Sequence, residues 1–138
     1  MNYDKNYMNL AIKWSKLSFC KKKKVGAIIV KNNKILSNGY NGTPNGFDNI
    51  CEDKNGKTKW YVIHAEAKAI LKIAASSQSC EGAFLYITNV PCKECSKLIF
   101  LSKIKRVVYL QNKKDSIQKE GLIFLKRFKI IVEEFSGL

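Results

Sequence analysis

A chain of 138 residues with 46% apolar side chains matches one globular domain with its own core, not a disordered polymer. No run approaches the ~20 apolar residues of a bilayer span, and the amino end lacks the basic-then-apolar layout of a secretion signal, so a single cytoplasmic domain over 1–138 is expected. The formal charge of +14 suits phosphate-bearing partners; yet Arg106 and Arg127 are the only arginines, and AT-biased coding, the slightly weightier reading, gives the same lysine excess.

Tyr7, Leu10, Ala11, Trp14 and Leu17 share one helical face, which predicts an amphipathic helix over 4–19. The lysine run 21–24 follows and reads as the solvated end of that helix, favourable at the negative pole of its dipole. Val25–Val30 is a β-branched run suited to a buried strand. Asn32-Asn33 supplies a turn, and Lys34–Tyr40 is the antiparallel partner. From Asn41 to Lys59 the chain is rich in Gly, Asn, Asp and Lys; a loop of this length in a compact domain is often functional. Helical spacing returns over 64–75, with Ala65, Ala69, Ile70 and Ile73 as packing residues. A strand over 83–88, a helix over 92–102 opened by Pro91, a strand over 106–110, a helix over 118–127 and a strand over 129–133 complete the chain. The order α-β-β-α-β-α-β-α-β predicts an α/β fold: a mixed five-stranded sheet, antiparallel at its opening hairpin and parallel later, with helices on both faces.

The five cysteines are Cys20, Cys51, Cys80, Cys92 and Cys95. An odd count in a reducing compartment argues against a disulfide framework and leaves metal binding or inert burial. Cys92 and Cys95 stand out, because Pro91-Cys92-Lys-Glu-Cys95 begins a helix whose free N–H groups favour thiolate. His64-Ala-Glu66 opens another helix. Two thiolates and one imidazole are three zinc ligands, which leaves a fourth position for water, the mark of a catalytic site. Glu66, two residues from the histidine, reaches that water and suits proton transfer. An isolated CxxC is weak evidence, but H-x-E…P-C-x-x-C is the signature of zinc nucleobase deaminases. Cys20, Cys51 and Cys80 read instead as small buried hydrophobes, and a second zinc at Cys20 lacks a second imidazole.

Together with Val25-Gly-Ala-Ile-Ile-Val30 and Asn38-Gly-Tyr-Asn-Gly-Thr-Pro-Asn-Gly46, these motifs make the chain resemble, over nearly its whole length, the dCMP deaminase family of the cytidine-deaminase-like superfamily. The resemblance implies a three-layer αβα sandwich, Zn2+ on His64, Cys92 and Cys95, and Asn41 on the substrate sugar with the Gly42–Gly46 loop beside the nucleotide. It also implies a homo-oligomer, commonly a hexamer, with dCTP and dTTP as effectors. The residue chemistry agrees: Tyr40 can stack on a ring, Asn41 can donate and accept, and Gly42 permits close backbone approach. Three positions depart from the family. Lys68 stands where asparagine is usual, Val90 where serine is usual, and Lys113 near a usual tyrosine. All three bear on the substrate pocket rather than on the metal.

The implied reaction is hydrolytic deamination of dCMP to dUMP and ammonia, which supplies thymidylate synthesis. Two alternatives remain: a deaminase of tRNA or single-stranded nucleic acid, with the basic charge as its footprint, or an inactive zinc-binding paralogue acting as a binding module. An intact Glu66 counts against the last, since a structural zinc is closed by a fourth protein ligand.

Overall fold

The computed structural model describes residues 2–110 and 119–137. Among the described residues there are four helices, α1 (Asp4–Ser15), α2 (Ala65–Ala74), α3 (Lys93–Leu101) and α4 (Glu120–Arg127), and five strands, β1 (Gly26–Lys31), β2 (Lys34–Tyr40), β3 (Phe84–Ile87), β4 (Arg106–Tyr109) and β5 (Ile131–Glu134), in the order α-β-β-α-β-α-β-α-β. The element order is the one the sequence predicts. Lys113 and the first residue of the predicted 118–127 helix lie outside the described residues.

The strands form one mixed sheet in the order β2-β1-β3-β4-β5. β1 pairs antiparallel with β2 and with β3, and β3–β4 and β4–β5 are parallel. Asn32 and Asn33 both take positive φ, 53° and 61°, which gives the β1–β2 hairpin the twist its strands need. β1 lies second in the sheet and is covered on both faces, which is why its side chains are apolar without alternation. Ile28 and Val30 pack with Met8 and Ala11 of α1. Ala27 and Ile29 pack on the other side with Ala65, Ala69, Ile99 and Leu125 of α2, α3 and α4. The result is a three-layer αβα sandwich with one helix on one face and three on the other.

Three expectations need correction. The first helix ends at Ser15 and buries Asp4, Met8, Ala11 and Ser15. Leu17 lies beyond it and is exposed, because the stripe that packs contains Met8 and a paired carboxylate that hydropathy alone passes over. The lysine run therefore sits in the connection to β1, not at a helix end. The third correction concerns Cys20 and Cys51, which form a disulfide across a separation of 31 residues instead of lying apart as inert hydrophobes. An odd cysteine count cannot show which pairs the fold brings together. Both are almost fully buried, at 2% and 1% exposure, so small reductants do not reach the bond directly. Cys80 is free and buried, as predicted.

Asp4 anchors α1 to the sheet. Its carboxylate accepts two hydrogen bonds from Arg106 on β4, at 2.8 and 2.7 Å, and a third from the Tyr86 hydroxyl at 2.6 Å. The Arg106 hydrogen bond holds the Asp4 pKa below its ordinary value of 3.8, and burial only partly opposes it. A depressed carboxyl stabilises fully above its unfolded pKa and loses that contribution as pH falls through its folded value. Asp4→Asn is expected to cost about 2 kcal/mol near pH 7. Urea midpoints near pH 7 and pH 3 check this: the gap between native and variant closes on the acid side.

Candidate active site

Two helix N-termini converge on the α2–α4 face. His64 is the N-cap of α2, with extended backbone at φ −70° and ψ 153°. Cys92 is the N-cap of α3, and its sulfur accepts from the Cys95 backbone N–H at 3.4 Å. Each helix start is set by a glycine on a neighbouring element. A Cβ on Gly39 of β2 would lie 2.4 Å from the Ala65 carbonyl oxygen, so only glycine lets α2 settle this low on the sheet. A Cβ on Gly121 of α4 would lie 2.8 Å from the Pro91 carbonyl oxygen and 2.5 Å from Ser96 Oγ, so α4 presses on the turn that carries the cysteines. Buried Ser96 donates to the Cys92 carbonyl at 2.8 Å and closes that turn. Sequence reasoning missed Ser96 and Gly121. The available signal was a glycine in the first turn of a helix, where it costs about 1 kcal/mol against alanine and so needs a packing reason.

His64 Nδ1 lies 3.5 Å from Cys92 Sγ and 3.4 Å from Cys95 Sγ. Tetrahedral zinc with bonds of about 2.0 Å to nitrogen and 2.3 Å to sulfur puts its N and S ligands about 3.5 Å apart. All three ligand atoms lie within 4.8 Å of one another. The residues fit the ion. Cys95 is buried, Cys92 half-buried and His64 exposed, so the site opens to solvent on the histidine side.

The charges are arranged for metal. Hydrogen bonds from the Cys95 thiol, from His64 and from the Cys95 backbone pull Cys92 down to about 4, so it is a thiolate at neutral pH. Cys95 keeps its proton, because the Cys92 thiolate and burial both raise it. The Cys92 sulfur also raises the His64 pKa against desolvation. Glu66 is 3% exposed, and burial pushes its carboxyl up to about 7 despite the opposing pull of its own backbone N–H and His64. A carboxyl of that pKa, buried beside Cys95 and His64, can both take and give a proton near neutrality.

The glycine-rich loop reaches the same place through its backbone. Gly42 and Ile63 form an antiparallel bridge, with N···O distances of 3.1 and 2.8 Å, which sets Asn41 and Gly42 beside His64. The Asn41 amide holds the entry to β1: its Oδ1 accepts from Val25 N at 2.8 Å and its Nδ2 donates to the Lys23 carbonyl at 2.8 Å. One further donor and one lone pair remain on that amide. Tyr40 stacks on Trp14 at 6.0 Å between ring centroids, and Lys68 Nζ lies 5.2 Å from the centre of the Tyr40 ring. Tyr40, Asn41, Gly42 and Lys68 line a cavity of about 160 Å³ together with Gly46 and Phe47. Val90 packs against the apolar core.

An imidazole and two sulfurs around a metal position, a buried carboxylate beside them, and a mixed sheet that carries them at helix starts define a zinc-dependent nucleobase deaminase. Comparison with known proteins agrees. Residues 1–111 match the family model for the cytidine and deoxycytidylate deaminase zinc-binding region. The chain is 34% identical to the deoxycytidylate deaminase of Mycobacterium phage D29 over 122 residues, 78% of this chain and 94% of that one. It is 32% identical to the deoxycytidylate deaminase of Saccharomyces cerevisiae over 144 residues, 98% of this chain and 45% of that one. The crystal structure of dCMP deaminase from the cyanophage S-TIM5 in complex with dCMP and dUMP superposes with a TM-score of 0.91 at 40% identity, covering 98% of this chain and 99% of that one. The chain belongs to the cytidine and deoxycytidylate deaminase family.

Proposed function

We propose that this protein deaminates deoxycytidylate to deoxyuridylate and ammonia, working in the cytoplasm to supply thymidylate synthesis. The observation that carries this reading is the buried Glu66 carboxyl set against an open His64–Cys92–Cys95 triad. The likeness to a deaminase structure holding dCMP and dUMP gives the substrate class. His64, Cys92 and Cys95 would hold the zinc, which when bound would supply an acidified water for attack on the amine-bearing ring carbon. Glu66 accepts that water's proton, passes it to the ring nitrogen, and carries a proton to the departing ammonia. Asn41 uses its remaining donor and acceptor on the deoxyribose hydroxyl. Tyr40 and Gly42 form the wall behind it.

The finer expectations follow from family membership. We propose that dCTP and dTTP regulate the enzyme from a site distinct from the substrate cavity that Tyr40, Asn41, Gly42 and Lys68 line. Assembly into a homo-oligomer, a hexamer on the family pattern, would cover exposed apolar groups such as Leu101 and Ile123. The test is direct. Purified protein mixed with dCMP should show the ultraviolet change from cytosine to uracil, and dCTP or dTTP should shift the rate. No turnover of dCMP by zinc-loaded protein would overturn the reading.

A further inference from the structure

Beside the catalytic cleft, the long loop and the lysine run form one surface that shares Phe47 with the cavity lined by Tyr40, Asn41 and Lys68 and otherwise lies outside it. Three rings lie in a row on it. Trp60 meets Tyr61 edge-on at 5.6 Å between centroids, and Tyr61 meets Phe47 at 5.0 Å. Trp60 is 92% exposed and Phe47 54%. A tryptophan so fully in water buries little apolar area in the chain itself and contributes almost nothing to folding. Lys59 Nζ sits 5.7 Å above the Tyr61 ring.

The basic groups flank that row. The Glu52 carboxylate accepts from the backbone N–H groups of Lys21 and Lys22, both at 3.1 Å, and so holds the run 21–24 against the loop. Glu52 also bridges Thr58, and the small turn between them carries Lys54 and Lys57, both exposed. The Cys20–Cys51 disulfide joins the two segments covalently at the base of this surface.

The nearby carboxylates offset the positive charge only in part: Asp48, Glu52 and Asp53 are three acidic groups among the seven lysines 21–24, 54, 57 and 59. Asp53 accepts from Asn55 N and Lys57 N at 2.9 and 3.0 Å. Asp48 accepts from Ile50 N at 3.1 Å and pairs with Lys59 at 3.7 Å.

Lysines that track a phosphate backbone, together with exposed rings on which unstacked bases can lie, are the two parts of a sequence-independent single-strand site. Duplex DNA hides its base faces and would leave the rings unused. An acidic peptide would pair with the lysines but has no flat π-face to offer each ring. We propose that this surface binds single-stranded nucleic acid, with bases stacked on Trp60 and Phe47 and phosphates held by Lys21, Lys22, Lys54 and Lys57. The surface adjoins the catalytic cleft, since the Asn41 amide is bonded to the Lys23 carbonyl. The inference does not depend on dCMP being the substrate.

The test uses fluorescein-labelled oligothymidine of about 20 nucleotides, which contains no cytosine, with anisotropy read in about 50 mM salt. The single strand should bind, and a duplex of equal length should bind more weakly. Trp60→Ala should weaken binding about tenfold or more, as expected for the loss of one base–ring stack. The double variant Lys54→Ala/Lys57→Ala should reduce the slope of log affinity against log salt by about 1.4, the value for two lost phosphate contacts on a single strand. Neither variant should alter dCMP turnover, so failure here and failure of the deaminase reading are separable. Four results would overturn the proposal: no binding tighter than about 100 µM, binding indifferent to Trp60→Ala, equal or better binding of the duplex, or equal titration by anionic phospholipid vesicles. A fall in molar mass on Trp60→Ala, read by light scattering, would also overturn it by assigning the rings to an interface between copies.

Discussion

Replacing Glu66 by glutamine is expected to lower dCMP turnover by about 10³- to 10⁴-fold while zinc content stays at one ion per chain. Glutamine keeps the shape and cannot move a proton, so binding and chemistry separate. Thermal stability should hold or rise, because the native carboxyl is 3% exposed and burial already pushes it up to about 7. Removing a buried ionisable group that is not a ligand relieves a desolvation cost rather than creating one. Metal analysis, a melting curve and the ultraviolet assay on one preparation check all three parts. Loss of zinc from Glu66→Gln would mean that the carboxylate closes the metal site, and the catalytic reading would fail with it.

Cys95→Ala should act in the opposite sense, abolishing turnover together with zinc binding. Two protein ligands remain, and the surviving Cys92 thiolate loses the Cys95 thiol contact, the largest of the interactions that pull it down to about 4, while His64 and the residue-95 backbone N–H still hold it. The core should still form, since Ile29, Leu85, Ile99 and Val107 pack without help from the metal. The variant is therefore folded, empty and less stable. For zinc held at 1,000 times its dissociation constant, the missing linkage amounts to about 4 kcal/mol. Chelation of the native protein should reproduce this loss, and added zinc should reverse it for the native chain alone. Zinc affinity of the native protein should also rise with pH across the neutral range. Cys95 retains its proton until metal displaces it, whereas Cys92 has already lost its own. A Cys95→Ala protein with full zinc and full activity would overturn the ligand assignment.

Much of the site could be read from the chain because its chemistry is local. His64 and Glu66 are two residues apart, Cys92 and Cys95 three, and each pair shares one helical turn whose N–H groups favour the ionised sulfur. The apolar run of β1 and the spacing of Ala65, Ala69 and Ile73 fixed the layers in the same way. The paired asparagines at the β1–β2 turn announced the hairpin. Where local pattern and packing disagreed, packing decided. The first helix shows this: Met8 and the buried Asp4 outweighed Leu17, because a carboxylate held by Arg106 from β4 satisfies burial in a manner that hydropathy does not register.

The sequence by itself determined the order of elements and pointed to the candidate metal ligands and proton carrier, since His64 with Glu66 and Cys92 with Cys95 each lie within a few positions of one another. Only the tertiary structure decided that Cys20 bonds to Cys51, that Gly39 and Gly121 press the two ligand-bearing turns into place, and that Trp60, Tyr61 and Phe47 line up beside the lysines. Those relations join segments that only folding brings together, through contact distances of a few ångströms. Spacing along a chain carries no record of such distances.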